Sequence, residues 1–159
     1  MANWDFVFAY DTRFEEWLTE QGYPHPPVRP GNHLSTTTDM KWALGEQTNL
    51  LVNYPAWRDR LYIYGLGMDG FVLCIDGFDW DDDTAVPDEC FRIRYMSDLQ
   101  CVLLVTLCQR CGQLYIYRDT GEPAVIFEPE SDPSEIYEAY CAAEDAEDAW
   151  TQFFGKMYT

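Results

Sequence analysis

The sequence predicts an α+β fold in which an antiparallel meander sheet, from about residue 61 to 127, packs against N-terminal and C-terminal helices. Short apolar runs separated by turn residues fill the middle of the chain, as in a meander. Each end carries a helix-capping signal followed by apolar residues at helical spacing. No linker or internal repeat divides the 159 residues, so we expect one domain over residues 1–159.

The N-terminal third predicts one helix and one extended segment. Thr12 and Glu15 have the spacing of a capping box, which predicts a helix over about residues 12–21. Residues 23–31 hold four prolines. Because proline fixes φ and lacks an N–H, this segment is expected to run extended along the surface. Residues 35–52 fit either a helix or a strand.

The predicted sheet consists of two hairpins with a single strand between them and one further strand at the end. The segment Phe91–Tyr95 alternates apolar residues with arginines, as expected for a half-buried strand. Consecutive hairpins make an antiparallel meander the simplest topology. The first hairpin joins residues 61–64 to 71–75, the second joins an apolar strand over 101–108 to 114–117 through a turn at 110–112, and residues 124–127 add a last strand.

The C-terminal region predicts a helix. Asp132 and Glu135 have capping-box spacing around Pro133, a residue that suits the first helical position. Apolar residues then recur every three or four positions as far as Met157. Either one long helix or two helices broken near Ala142 is expected to cover the sheet.

Two stretches of the chain carry its formal net charge of −18. Seven acids lie between Asp76 and Glu89 and eleven more between Asp119 and Asp148, with no lysine or arginine in either stretch, whereas ten acids balance ten bases elsewhere. Charge concentrated in this way creates a directed field that attracts cationic partners and repels nucleic acid and anionic lipid. The apolar content of 47% excludes a disordered acidic tail.

The chain is expected to be cytoplasmic. Its first residues lack the basic start and apolar core of a signal peptide, and no apolar run approaches the ~20 residues that span a bilayer. In the reducing cytoplasm the six cysteines are expected to remain thiols.

Metal and catalytic motifs are incomplete. Cys108 and Cys111 have the spacing of half a zinc knuckle, but no second pair has that spacing, so a plain hairpin turn is favoured over zinc. Residues 79–90 offer oxygens at the first positions of a calcium loop but place Thr84 and Cys90 where that loop needs Gly and Glu. No nucleophile-elbow, phosphate-loop or zinc-protease motif occurs, so we expect no catalytic residue, no cofactor and no enzymatic activity.

The predicted site is therefore a surface that binds a protein with a basic surface. Aromatic residues beside acids supply burial and charge complementarity together, and tryptophan is common in binding hot spots. The predicted partner-binding residues are Phe78, Asp79, Trp80, Asp81, Asp82, Asp83, Asp88, Glu89, Glu144, Asp145, Glu147 and Asp148. The same charge pattern would also suit an acidic inhibitor that imitates nucleic acid, or a non-catalytic acidic adaptor or assembly subunit.

In its small size, single α+β domain, acidity and lack of a catalytic signature, the chain resembles the immunity proteins of bacterial polymorphic toxin systems. Residues 42–70 resemble the tryptophan- and glycine-containing region of the SMI1/KNR4-like immunity superfamily. This resemblance implies a cytoplasmic antitoxin that binds one cognate toxin domain and blocks its active site. Many toxins of these systems act on nucleic acid or nucleotides and carry basic clefts, which an acidic inhibitor would fit.

Overall fold

The computed structural model describes residues 4–9, 16, 19–20, 22, 31–52, 60–88, 90–94, 98–118 and 125–142. The strands within them are β1 (Asp5–Ala9), β2 (Leu50–Val52), β3 (Arg60–Gly65), β4 (Phe71–Asp76), β5 (Phe91–Arg94), β6 (Leu114–Arg118) and β7 (Val125–Phe127). The helices whose bounds are described are α1 (Thr37–Gly45), α2 (Asp98–Cys111) and α3 (Pro133–Ala142).

All seven strands form one antiparallel sheet in the order β2-β3-β4-β5-β1-β6-β7. The α+β class and the antiparallel pairing predicted from the sequence are confirmed. The sheet is larger than predicted, because β1 and β2 lie before residue 61. Strand β1 inserts between β5 and β6 in the interior of the sheet and interrupts the meander.

The first predicted hairpin and the alternating strand are both confirmed. Strands β3 and β4 pair with Leu61 opposite Ile75 and Tyr62 opposite Cys74. In β5, Phe91 and Ile93 are buried while Arg92 and the second arginine of the strand are half-buried, as the alternation predicted. Because side chains alternate along a strand, this register places apolar residues on one face of the sheet and arginines on the other.

The second predicted hairpin is wrong, because the apolar run over residues 101–108 belongs to helix α2. A continuous apolar run has no periodicity that distinguishes a buried strand from a buried helix. Length distinguishes them here, since the helix extends over 14 residues from Asp98, which accepts a hydrogen bond from the Leu99 N–H at 2.9 Å. Cys108 and Cys111, predicted to lie at a hairpin turn, instead lie in the last turn of this helix. The chain passes from there into β6.

Residues 35–52, which fit either a helix or a strand by sequence, form both: helix α1 comes first. Thr36 Oγ1 accepts the N–H of Asp39 at 3.1 Å, and the Asp39 carboxylate accepts the N–H of Thr36 at 3.0 Å, so a complete capping box starts the helix. This box holds two N–H groups that a helix start otherwise leaves without partners. The later part of the same segment forms strand β2 at the edge of the sheet.

The three helices pack on the face of the sheet that carries the apolar residues. Helix α2 contacts both α1 and α3 as well as β6 and β7. The buried apolar residues of strands and helices form one cluster, in which Met40, Leu104 and Ile63 are fully buried. No helix in the described part of the chain is both long and apolar enough to cross a bilayer.

The predicted start of the C-terminal helix is confirmed. Helix α3 begins at Pro133, and Asp132 Oδ1 accepts the Ser134 N–H at 2.9 Å. Its predicted continuation to Met157 lies outside the described residues. The predicted helix over 12–21 is described only at Glu16, Thr19 and Glu20, which are helical and exposed, and the proline segment is described only at its last residue, Gly31.

Candidate functional site

The loop between β4 and β5, residues 77–90, carries most of the first acidic stretch and is called the acidic loop here. It leaves the sheet at Gly77, whose φ of +112° places a hypothetical Cβ 3.0 Å from the Cα of Phe91. Only glycine fits such a position without strain. Among the described residues of the loop, the exposed carboxylates are those of Asp79, Asp81, Asp82, Asp83 and Asp88.

The backbone of the acidic loop is hydrogen-bonded to the first turn of α1. The N–H of Thr37 donates to the carbonyl of Ala85, and the N–H of Thr38 donates to the carbonyl of Asp83, both at 3.0 Å. The two threonine hydroxyls donate as well, Thr37 to the Asp79 carbonyl at 3.0 Å and Thr38 to the Asp83 carbonyl at 2.7 Å. The loop therefore accepts hydrogen bonds from helix donors that would otherwise need water, and these bonds tie its backbone to α1.

Two carboxylates of the loop shape its own backbone. Asp79 Oδ1 accepts the N–H of Asp81 at 3.1 Å, and Asp82 Oδ1 accepts the N–H of Thr84 at 3.1 Å. Such turns are typical of aspartate beside a tight bend. Lys41 of α1 donates to the carbonyl of Trp80 and to Asp83 Oδ1, at 3.0 and 2.9 Å. An exposed pair of this kind contributes little stability, and the surface remains strongly negative.

Phe78 and Trp80 lie in the core rather than on the predicted surface. Phe78 is 2% and Trp80 6% exposed, and their ring centroids are 5.3 Å apart. Phe78 also contacts Phe91 of β5 at 4.9 Å. The alternation of aromatics with acids therefore places rings inward and carboxylates outward. The prediction that these two rings contact a partner is therefore corrected. A partner on this surface would contact the carboxylates.

The second acidic stretch is only partly described. Asp132, Glu135 and Glu138 are exposed along the start of α3, whereas Glu128 is buried and accepts a hydrogen bond from Gln113 at 2.8 Å. The predicted partner-binding residues Glu89, Glu144, Asp145, Glu147 and Asp148 lie outside the described residues.

Cys108 and Cys111 are fully buried in the last turn of α2. Burial raises the pKa of the Cys108 thiol well above its ordinary value, since a thiolate is costly to desolvate. The Cys111 Sγ donates to the Leu107 carbonyl at 3.3 Å. Within the described part of the chain no group of three His, Cys, Asp or Glu residues is placed to hold a metal ion.

His33 caps the carboxyl end of α2. Its backbone N–H donates to the carbonyl of Cys111 at 3.0 Å, and its ring atoms Nε2 and Nδ1 lie 2.6 and 2.8 Å from the carbonyls of Arg110 and Leu34. Carbonyls only accept, so both contacts are hydrogen bonds only when the ring is an imidazolium. The Leu34 carbonyl accordingly raises the pKa of His33, with further contributions from the Arg110 carbonyl and from Asp39.

A cationic cluster lies on the face of the sheet opposite the helices and is called the arginine–tryptophan cluster here. The guanidinium carbons of Arg60, Arg92 and Arg94 lie 5.4, 5.0 and 4.5 Å from the centroid of the Trp4 ring. Asp76 is ion-paired with Arg92 and lies 3.6 Å from Arg60. Each cation–π contact of this kind stabilises by about 0.5–1 kcal/mol at exposed sites.

The sequence contained a signal for part of this cluster. Alternation in β5 places Arg92 and Arg94 on one face, but nothing local indicates that Arg60 and Trp4 join them. Their meeting depends on the register of β3, β4, β5 and β1, which pairs residues far apart in the sequence.

No protein-family model, curated protein or solved structure matches this chain.

Proposed function

We propose that this chain is a non-catalytic, cytoplasmic immunity protein that binds a basic toxin domain through its acidic loop and blocks the toxin's active site. One observation carries the proposal. The exposed carboxylates of the acidic loop are held in place by the hydrogen bonds that Thr37 and Thr38 of α1 make to the loop backbone.

This fixation supports tight binding. A loop that orders only when its partner arrives loses conformational freedom at that moment, and the loss weakens the complex. Here the folded protein has already ordered the loop, and the buried rings of Phe78 and Trp80 hold it to the core. The carboxylates of Asp81, Asp82 and Asp83 therefore meet a partner as a preformed surface.

The charge supports rapid binding. The formal net charge of −18 attracts a cationic surface over long distances, and complementary fields raise association rate constants toward ~10⁸–10⁹ M⁻¹s⁻¹ at low salt. Rapid capture suits a protein that protects the cell in which a lethal enzyme is made. The proposed activity is stoichiometric, so one molecule neutralises one toxin domain without turnover.

The partner is identified by its chemistry. A cleft that binds nucleic acid is lined by lysine and arginine, because these residues neutralise phosphates and release counterions. The described residues of the acidic loop offer five exposed carboxylates in one short segment to such a cleft. Blocking the cleft with carboxylates would exclude the nucleic acid substrate by both volume and charge.

The experiment first identifies a candidate toxin, as the C-terminal domain of a large secreted protein whose gene neighbours that of this chain, and then measures binding between the two proteins. Replacing Asp81, Asp82 and Asp83 with Asn should slow association roughly tenfold at low salt and make the rate less dependent on salt. Titrating the toxin's activity with the unaltered protein should end at one inhibitor per toxin. Growth of cells that produce the toxin should depend on co-production of this protein.

A matched control removes the same amount of charge elsewhere. Glu16, Glu46 and Asp69 are exposed and lie outside both acidic stretches. Replacing these three with Gln, Gln and Asn should leave the association rate within about twofold of the original. Equal slowing by both triple variants would assign the effect to net charge and contradict the proposed role of the loop.

A further inference from the structure

Cys108 and Cys111 form a pair of thiols in the last turn of α2, away from the acidic loop. Residues three apart in an α-helix have their Cα atoms about 5 Å from one another. Cysteines whose Cα atoms are separated by roughly 4.4–6.8 Å can be joined by a disulfide. The two thiols are also hydrogen-bonded to each other, so an S–S bond between them needs little movement of the helix.

The two thiols differ in their chemistry. The hydrogen bond from the Cys108 thiol lowers the pKa of Cys111 although burial opposes this, and the ring of His33 lowers it further. Burial instead raises the pKa of Cys108. The thiolate is the form of cysteine that attacks an oxidant. Cys111 is therefore suited to react first, and Cys108 to react with the product.

The last turn of α2 provides a route to the pair. The Gly112 N–H donates to the Cys108 carbonyl at 2.8 Å, and the His33 N–H donates to the Cys111 carbonyl at 3.0 Å. The ends of helices open locally at a lower free energy than their middles. Both thiols are fully buried, so a reagent reaches them through such an opening, and a small oxidant enters more readily than a bulky one.

We propose that Cys108 and Cys111 form a reversible disulfide in response to a peroxide, and that this disulfide locks the last turn of α2. The Cys111 sulfur attacks one peroxide oxygen and becomes a sulfenic acid, while the O–O bond breaks and the leaving hydroxide takes the proton that Cys111 lost. The Cys108 sulfur then attacks the Cys111 sulfur. The S–S bond forms, the S–O bond breaks, and the hydroxyl leaves as water with the proton of Cys108.

The balance is two thiols oxidised to one disulfide and one hydrogen peroxide reduced to two waters. A reducing thiol such as glutathione returns the pair to the dithiol by thiol–disulfide exchange. The pair therefore stays reduced in a reducing compartment and closes when peroxide is present. This inference does not depend on the function proposed for the acidic loop.

The first experiment treats the reduced full-length protein with hydrogen peroxide, blocks the remaining thiols under denaturing conditions and maps the disulfides by mass spectrometry. Trypsin cleaves after Arg110, between the two cysteines, so their disulfide links two peptides. We expect this linked pair to form while Cys74 and Cys101, which are equally buried, stay thiols, and we expect glutathione to reverse it. Absence of the linked pair at every peroxide concentration at which the protein stays folded would overturn the proposal.

Variants test the order of attack. Cys108→Ser leaves Cys111 without its resolving thiol, so a sulfenic acid should accumulate and be trapped by dimedone. Cys111→Ser should trap at least about tenfold less at Cys108. Equal trapping in the two variants would contradict the proposed order. Cys101→Ser is the matched control, because Cys101 is buried in the same helix, and it should form the disulfide within about twofold of the original rate.

Hydrogen exchange of the unaltered protein tests the lock and does not depend on the folding of any variant. The Gly112 N–H should exchange at least about tenfold more slowly in the oxidised protein than in the reduced protein, because the disulfide opposes opening of the turn. The Glu46 N–H, which donates to the Trp42 carbonyl at the end of α1, is the control and should exchange at the same rate in both. Unchanged exchange at Gly112, or equal slowing at both positions, would contradict a lock in the last turn of α2.

Discussion

At the scale of single residues, Gly112 is a position where the structure leaves no room for a side chain. It follows the last turn of α2 with a φ of +91°, and a Cβ built there would overlap the Oδ1 atom of Asn32. That oxygen accepts the N–H of Gln113 at 3.1 Å, so moving Asn32 aside would break a partly buried hydrogen bond.

We therefore predict that Gly112→Ala lowers the free energy of unfolding by at least about 2 kcal/mol, since both a left-handed φ and a steric overlap oppose the side chain. Urea unfolding measures the change. Gly45→Ala is the control, because a Cβ at Gly45 meets no atom within 4 Å, and it should stay within about 0.5 kcal/mol of the original. Similar losses in the two variants would show that the fit of Asn32 against Gly112 is unimportant.

His33 gives the stability a predictable pH dependence. The carbonyl of Leu34, foremost, raises the pKa of His33 above its ordinary value of 6.5, because the folded protein favours the imidazolium. A raised pKa in the folded state stabilises fully below the unfolded pKa, and that stabilisation is lost as the pH rises through the folded pKa. We expect the contribution of His33 to fall from about pH 6.5 upward.

The measurement is the free energy of unfolding as a function of pH for the original protein and for His33→Gln. The difference between the two curves isolates this residue from the other histidine and from the acids. It should be largest at low pH and should shrink as the pH rises. A difference that is constant with pH, or that grows above neutrality, would contradict the double hydrogen bond of the ring.

At the scale of elements, the acidic loop has an interior and an exterior with different roles. Trp80 is 6% exposed and packs against Phe78, while its neighbours Asp79 and Asp81 are exposed. Trp80→Ala should therefore destabilise the protein by about 3–5 kcal/mol, as for other large-to-small changes in a core. Asp81→Asn should leave the free energy of unfolding unchanged or slightly raised. Thermal and urea unfolding of both variants check this contrast, and a stable Trp80→Ala protein would contradict the burial of the ring.

The elements differ in how well the sequence predicts them, for physical reasons. The β3–β4 hairpin, strand β5 and the start of α3 carry local signals in their turns, alternation and capping residues. The apolar run of helix α2 predicts a strand, because a helix buried around most of its surface has no polar face to reveal its period. The position of strand β1 between β5 and β6 has no local signal, because it is determined by pairing with distant strands.

The same distinction separates the predicted from the unpredicted parts of the site. The charge of a segment is the sum over its residues, so the sequence alone locates the acidic loop. The burial of a residue depends on what packs against it from elsewhere in the chain. The sequence Phe78-Asp79-Trp80 therefore does not show that its rings point into the core. The arginine–tryptophan cluster needed the register of four strands, which short-range patterns do not contain.

At the scale of the whole molecule, the net charge of −18 opposes folding, because a compact chain brings its like charges closer together. The described residues of the acidic loop include five exposed carboxylates in one short segment, and Lys41 contacts one of them, that of Asp83. The hydrogen bonds to α1 and the buried aromatic rings must offset this repulsion. Binding to a cationic partner would relieve it.

This repulsion makes the stability depend on salt. Raising sodium chloride from about 0.01 M to about 0.15 M shortens the Debye length from ~30 Å to ~8 Å, so repulsion across the surface is screened. We predict that the free energy of unfolding rises over this range. The variant with Asn at positions 81, 82 and 83 carries three fewer negative charges, so it should be more stable than the original at low salt and gain less from added salt. Urea unfolding at both salt concentrations measures the two gains. Equal gains would show that the repulsion arises outside the acidic loop. A fall in stability with salt would show that attractive ion pairs, such as those of Asp76 with its two arginines, outweigh the repulsion.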